Sequence, residues 1–73
     1  MRYYYKTNAG TFFIIRQRKF YDVLFDDQSL GSYTTPQQAL DDLCGGHTFW
    51  PASGIDPRTL GIPDDLSEWE RSS

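Results

Sequence analysis

The chain has one cysteine, one histidine and one methionine in 73 residues, and each scarcity closes off a class of function. Cys44 alone cannot form an internal disulfide, and one thiol with one imidazole falls short of the four ligands that structural zinc takes. The longest apolar run, Phe12-Phe13-Ile14-Ile15, is far below a signal-peptide core or the roughly 20 residues of a membrane span. A glycine-rich phosphate loop is also missing. Gly45-Gly46 follows a helical pattern instead of opening one, so backbone amides do not converge at a helix N-terminus. These absences predict a soluble, cytoplasmic chain in a reducing setting, with no cofactor, no metal and no membrane partner.

The first twenty residues lack acids altogether, and the rest of the sequence has few bases. The first twenty residues carry Arg2, Lys6, Arg16, Arg18 and Lys19 with no acid, whereas all ten carboxylates fall later, against only Arg58 and Arg71. The net charge of −3 therefore hides a basic N-terminal half and an acidic remainder. The two halves attract each other if the tail folds over the rest, or they present separate recognition surfaces.

Aromatic residues are abundant, at 16% of the chain, and this argues for a folded domain. A domain this small buries only about 60% of the surface its unfolded chain exposes, so its core is marginal. Aromatic side chains, each able to cover roughly 150–250 Å², let a few positions supply most of that core.

Local patterns divide the chain into a sheet, a helix and a tail. Arg2-Tyr3-Tyr4-Tyr5-Lys6 has strong strand propensity, and Asn8-Ala9-Gly10 supplies residues suited to a hairpin turn. A second strand over Thr11 to Gln17 and a third over Phe20 to Phe25 are joined by Arg18-Lys19, and Asp26-Asp27-Gln28 turns the chain again. Ser29 to Tyr33 can add a short fourth strand. Thr35 then caps a helix, Pro36 takes its first position, Gln38 completes a capping box and Gly45-Gly46 stop it. Pro36, Ala39, Leu40 and Leu43 recur at i, i+3, i+4 and i+7, which gives this helix one apolar face to lay on the sheet.

Side chains alternate across a strand, and in the second strand both alternating sets are apolar: Phe12 with Ile14, and Phe13 with Ile15. One short helix covers one face, so the other needs a cover of its own, either the C-terminal tail or another copy of the chain. Residues 47–70 offer it, spreading Phe49, Trp50, Ile55, Leu60, Ile62, Leu66 and Trp69 among turn formers, with single helical turns starting at Asp56-Pro57 and at Ile62-Pro63-Asp64-Asp65. We therefore expect Trp50, Leu66 and Trp69 to lie on the face opposite the helix.

Candidate chemistry is sparse. Cys44 and His47 sit three apart, but a thiol in the last turn of a helix meets the negative end of the dipole, which disfavours the reactive thiolate. The pairs Asp26-Asp27, Asp41-Asp42 and Asp64-Asp65 fall at a turn, a helix exterior and a helix start, where carboxylates solvate and cap. Arg16, Arg18 and Lys19 with the tyrosines of the first strand form a basic and aromatic constellation of the kind that holds phosphates and stacks bases.

Phe20-Tyr21-Asp22-Val23-Leu24-Phe25 followed by Leu30-Gly31-Ser32-Tyr33-Thr34-Thr35-Pro36-Gln37-Gln38-Ala39 resembles the plant apetala-type and integrase-arm DNA-binding domains over residues 10–46. That resemblance implies a three-stranded sheet with one helix, and a DNA-reading sheet face of Arg and Trp. The second strand here has apolar residues on both faces with only Arg16 at its end, and the chain is acidic, so nucleic acid ranks below protein as a partner. The run Gly45-Gly46-His47-Thr48-Phe49-Trp50-Pro51-Ala52-Ser53-Gly54-Ile55-Asp56, with Leu60-Gly61-Ile62-Pro63-Asp64-Asp65-Leu66-Ser67-Glu68-Trp69-Glu70, resembles a family of short, functionally uncharacterised bacterial proteins. This second resemblance implies a free-standing cytoplasmic domain and brings no activity with it.

The sequence thus predicts a single α+β domain: a three- to four-stranded antiparallel meander over 1–33, a capped helix over 35–46 on one face, a docked irregular tail over 47–70 on the other, and a frayed end at 71–73. The function it points to is a non-enzymatic protein-interaction module, a monomer or weak homodimer with no catalytic residue. Its candidate interaction surface is the acidic set Asp41, Asp42, Asp64, Asp65 and Glu68. The alternatives are a weak nucleic-acid binder using Arg16, Arg18 and Lys19 of the basic N-terminal hairpin, and a small acidic inhibitor of a basic protein site.

Overall fold

In the computed structural model, residues 2–48, 50–51 and 54–72 are described; Phe49 of the tail and Ser73 of the expected frayed end lie outside them. The chain folds as α+β. Strands β1 (Arg2–Thr7), β2 (Gly10–Gln17), β3 (Phe20–Phe25) and β4 (Gln28–Tyr33) form an antiparallel meander, helix α1 (Pro36–Gly45) follows, and β5 (Glu70–Ser72) returns at the C-terminus. The sheet has five strands in the order β4-β3-β2-β1-β5, more than the three or four expected.

Turn chemistry fixes the strand register. Between β1 and β2 the Thr7 hydroxyl donates to the Gly10 carbonyl at 2.7 Å and accepts from the amides of Ala9 and Gly10 at 3.1 and 3.2 Å. Gly10 is required there: at φ 152° its absent Cβ would lie 2.6 Å from the Phe25 ring, which packs over it. At the far side the register slips between Val23 and Leu24, so that Val23 pairs with Gly31 and Leu24 with Ser29. This bulge turns Leu30 into the core, where it is fully buried.

The helix begins and ends where its capping residues predict. The Thr35 hydroxyl accepts from the Gln38 amide at 3.1 Å. At the C-terminus, Gly46 takes the left-handed φ of 75°, and the amide of His47 reaches back to the Asp42 carbonyl at 2.8 Å, closing a Schellman-type cap. Ala39, Leu40 and Leu43 are buried on the face that α1 lays over β2, β3 and β4.

The tail does not take the face opposite the helix. The core of Phe12, Ile14, Val23, Phe25, Leu30, Ala39, Leu40 and Leu43 also contains Trp69, and Ile55, Leu60, Ile62 and Leu66 pack against that same cluster. A helix is about 10 Å wide and α1 packs on β2, β3 and β4, whereas the four meander strands at about 4.8 Å spacing span roughly 14 Å between the outermost ones. The helix therefore leaves Tyr3, Tyr5 and the β1 side of the inner face open, and the tail fills this gap, with the Trp69 ring 5.8 Å from that of Tyr5. Trp50 remains 42% exposed, its ring held at the helix end by an N–H bond to the Gly46 carbonyl and by the Arg58 guanidinium 5.8 Å away.

The docked tail over 47–70 includes single 3-10 turns at Pro57–Thr59 and Leu66–Glu68, capped by Asp56 and Asp65. Its end is not frayed as far as Ser72. Glu70, Arg71 and Ser72 pair with Tyr4, Tyr3 and Arg2, so backbone groups on the β1 edge bond to the chain instead of to water.

Candidate interaction surface

With helix and tail on one side, the other side of the sheet is bare among the described residues. The register places one row of side chains across it, Glu70, Tyr4, Phe13, Leu24 and Ser29, and beside it a second row of Ser72, Arg2, Ile15, Asp22 and Ser32. Gln17 and Phe20 continue the face towards the β2–β3 turn, and Lys6 and Thr11 towards the β1–β2 turn. Tyr4, Phe13, Ile15 and Leu24 are partly exposed and Phe20 is 50% exposed. The rings of Tyr4 and Phe13 lie 6.4 Å apart.

Two hollows shape this face. One, of about 240 Å³, is lined by Arg2, Tyr4, Lys6, Thr11, Phe13 and Ser72. The larger, of about 430 Å³, is lined by Gln17, Arg18, Lys19, Phe20, Asp22 and Ser32. Each is edged by two cations. Arg18 holds φ at 57°, a left-handed conformation that costs a residue with a Cβ roughly 1–2 kcal/mol.

The two carboxylates on the face are already engaged. Asp22 accepts from the Ser32 hydroxyl, and Glu70 lies against the Tyr4 hydroxyl, whose pKa it raises through a hydrogen bond and its charge. The cations differ: among the described residues the only ion pair is Arg58 with Asp56, at 2.8 Å, so Arg2, Lys6, Arg18 and Lys19 have no carboxylate partner among them.

The basic candidates are divided by the fold. Arg18 and Lys19 share the larger hollow, while Arg16 pairs in register with Tyr21 and falls on the helix side of β2 by alternation. Arg2 and Lys6, which the sequence reading did not single out, join the surface instead.

Several of the acidic candidates have local roles. Asp41 accepts from the Gln37 amide group at 2.9 Å. Asp42 accepts from the Tyr33 hydroxyl, which burial and that bond push up to about 12. Asp65 caps its 3-10 turn by accepting from the Ser67 amide at 2.9 Å, and this holds its carboxyl below the ordinary value. Asp64 is exposed, and Glu68 lines a shallow hollow with Tyr5, Lys6 and Glu70.

Cys44 is half-buried against the tail, its thiol 3.8 and 3.7 Å from the carbonyls of Ile62 and Pro63. Burial raises its pKa, and the charges of Asp64 and Asp41 add to the effect. His47 is exposed, and no three His, Cys, Asp or Glu side chains gather closely enough to hold a metal ion among the described residues. Nor is any helix among them long and apolar enough to cross a membrane.

One signal for the bare face is present in the sequence. Phe13 and Ile15 form the second apolar set of β2, and Leu24 and Phe20 flank them on β3. Assigning that set to the tail concealed the surface. No family model matches the chain, and no curated protein or solved structure matches it.

Proposed function

We propose that this chain is a non-enzymatic protein-interaction module whose working surface is the bare face of the sheet, and whose partner is a protein presenting an apolar patch edged with carboxylates. One observation carries the reading. An apolar centre of Tyr4, Phe13, Ile15, Leu24 and Phe20 is edged by four cations with no carboxylate partner among the described residues: Lys6 beside Thr11 at one end, Arg18 and Lys19 at the other, and Arg2 beside Ile15 on the β1 side. Apolar side chains framed by polar ones are the anatomy of a protein interface, where the centre supplies desolvation energy and the rim selects the partner by charge.

Two features favour protein over nucleic acid. Ile15 and Leu24 in the middle of the face are branched alkyl groups, which exclude water against another apolar surface but give bases no ring to stack on. Asp22 and Glu70 on the same face repel phosphates. A second copy face to face is disfavoured because cations outnumber carboxylates on the surface, so like charges meet.

The test begins with a photoreactive residue at Tyr4 to trap the partner in cells, followed by titration of the purified partner against the full chain. Phe13→Glu and Leu24→Glu, each verified as folded by a cooperative melt, are expected to weaken binding at least tenfold. Added salt should weaken it further, and Asp41→Asn with Asp64→Asn should leave it unchanged. Binding that survives both glutamate variants, an adduct with nucleic acid or only with a second copy, or no protein adduct at all would overturn the proposal.

A further inference from the structure

We infer that the element docking on this face is an amphipathic α-helix of about three turns, with apolar anchors at its two ends and a carboxylate beside each. This rests on the reading of the bare sheet face as a protein-docking surface, and it goes further by fixing the occupant's shape.

The spacing of the two hollows carries the inference. The smaller is centred near Phe13 and the larger near Gln17, Phe20 and Asp22, so about four residues of β2 separate them along the strand. At about 3.4 Å per residue that is roughly 13 Å, and a sideways step of one to two strands at about 4.8 Å each brings the separation to roughly 15 Å. A helix rising 1.5 Å per residue covers that distance in about ten or eleven residues. Side chains at i and i+11 lie on one face of a helix, with i+4 and i+7 between them. Ile15 lies between the hollows, and Leu24, in register with Phe13, flanks the line on β3, so a helix about 10 Å wide laid between the hollows covers both alkyl groups with its middle positions.

The charges fit the same occupant. Arg2 and Lys6 edge one hollow and Arg18 and Lys19 the other, so carboxylates flanking the first and last anchors each find cations without a carboxylate partner among the described residues. An extended segment would find its main-chain partners at a sheet edge instead of on a face, and main-chain pairing is what gives such segments affinity. On the inner face the chain already uses the matching solution. Helix α1 meets β2, β3 and β4 through Ala39, Leu40 and Leu43, and a partner helix outside would complete a layered helix–sheet–helix arrangement.

The experiment uses the full chain and three synthetic peptides. The first is a side-chain-stapled helix with Phe at i and i+11, Leu at i+4 and i+7, and Glu flanking the stripe. The second has the same composition with two central prolines that break the helix, and the third has each Glu replaced by Lys. Amide chemical shifts of the protein and fluorescence polarisation of labelled peptide report binding. The stapled acidic helix is expected to shift Tyr4, Phe13, Ile15, Phe20 and Leu24 and to bind at least tenfold more tightly than either control. Arg2→Glu with Lys6→Glu, and separately Arg18→Glu with Lys19→Glu, should each weaken it severalfold. Equal binding of the broken peptide, shifts centred on α1 or the tail, or no binding by the stapled helix would overturn the inference. If the helix fails here but the trapped cellular partner still loses affinity with Phe13→Glu, the docking face stands and the occupant is not a helix. If Phe13→Glu leaves that partner's affinity unchanged, the docking face itself fails.

Discussion

Phe12 and Phe13 are adjacent, identical in chemistry and on opposite faces of one strand, so truncating each in turn asks which face of the sheet is covered. Phe12 is 0% exposed, with the Phe25 ring centroid 4.8 Å away. Phe12→Ala deletes a fully packed aromatic and leaves a cavity among Ile14, Val23, Leu40 and Trp69, a change that costs about 3–5 kcal/mol. Phe13 is partly exposed and has the Tyr4 ring as its aromatic neighbour. Its truncation removes a cross-strand pair worth about 0.2–1 kcal/mol and a modest apolar area, so about 1 kcal/mol in all. A chain of 73 residues has a total stability of about 4–11 kcal/mol, so Phe12→Ala removes a large share and Phe13→Ala a small one. At about 4–8 °C per kcal/mol for a domain this size, the melting temperature should fall by about 12–40 °C in the first variant and by about 5 °C in the second. Urea titration followed by far-UV circular dichroism measures both free energies. Losses equal within about 0.5 kcal/mol would mean that something covers the outer face as completely as the inner one, and the proposed docking surface would not exist.

Three other outcomes follow from the tail and its contacts. Trp69 is 5% exposed and donates its indole N–H to the Pro63 carbonyl at 3.0 Å, so Trp69→Ala should cost about 3–5 kcal/mol in the same urea assay; a loss below about 1 kcal/mol would place the tail outside the cooperative core. The Cys44 thiol, raised by burial and by Asp64 and Asp41, should react with a disulfide reagent at neutral pH at least severalfold more slowly than free cysteine, and reaction at the free rate would contradict its placement against the tail. Asp65 is held below its ordinary 3.8 by the Ser67 amide, so its stabilisation is present above that value and is lost as the pH falls through the lower folded-state pKa. Melting temperatures between pH 6 and 2 should therefore fall less steeply at the acid end for Asp65→Ala than for the parent chain, and parallel curves would show that the cap does not depend on the carboxylate charge.

Local chemistry wrote most of the elements into the sequence. The Gln38 amide bonded to the Thr35 hydroxyl at one end and the amides of Gly46 and His47 at the other define α1 through hydrogen bonds that span no more than five residues, with Pro36 pre-set for the first turn, and such short-range features are legible without knowing the fold. The four meander strands could be read for the same reason, because each is bounded by turn residues acting on their immediate neighbours. The apolar character of both faces of β2 was legible too, from alternation alone. Three things were decided only in three dimensions. Alternation reveals that Phe13 and Ile15 share a face, but not whether that face is covered, and the answer came from the mismatch between one helix on β2, β3 and β4 and a four-stranded meander, which left room for the tail on the inner face beside Tyr5. The fifth strand, Glu70–Ser72, has no strand signature of its own and exists because the docking of Trp69 delivers it to the free edge of β1. The split among the cations, with Arg18 and Lys19 on the bare face and Arg16 beside Tyr21 on the other, is set by register. A strand's side chains alternate about a plane, and only pairing with its neighbours decides which side of that plane becomes the core.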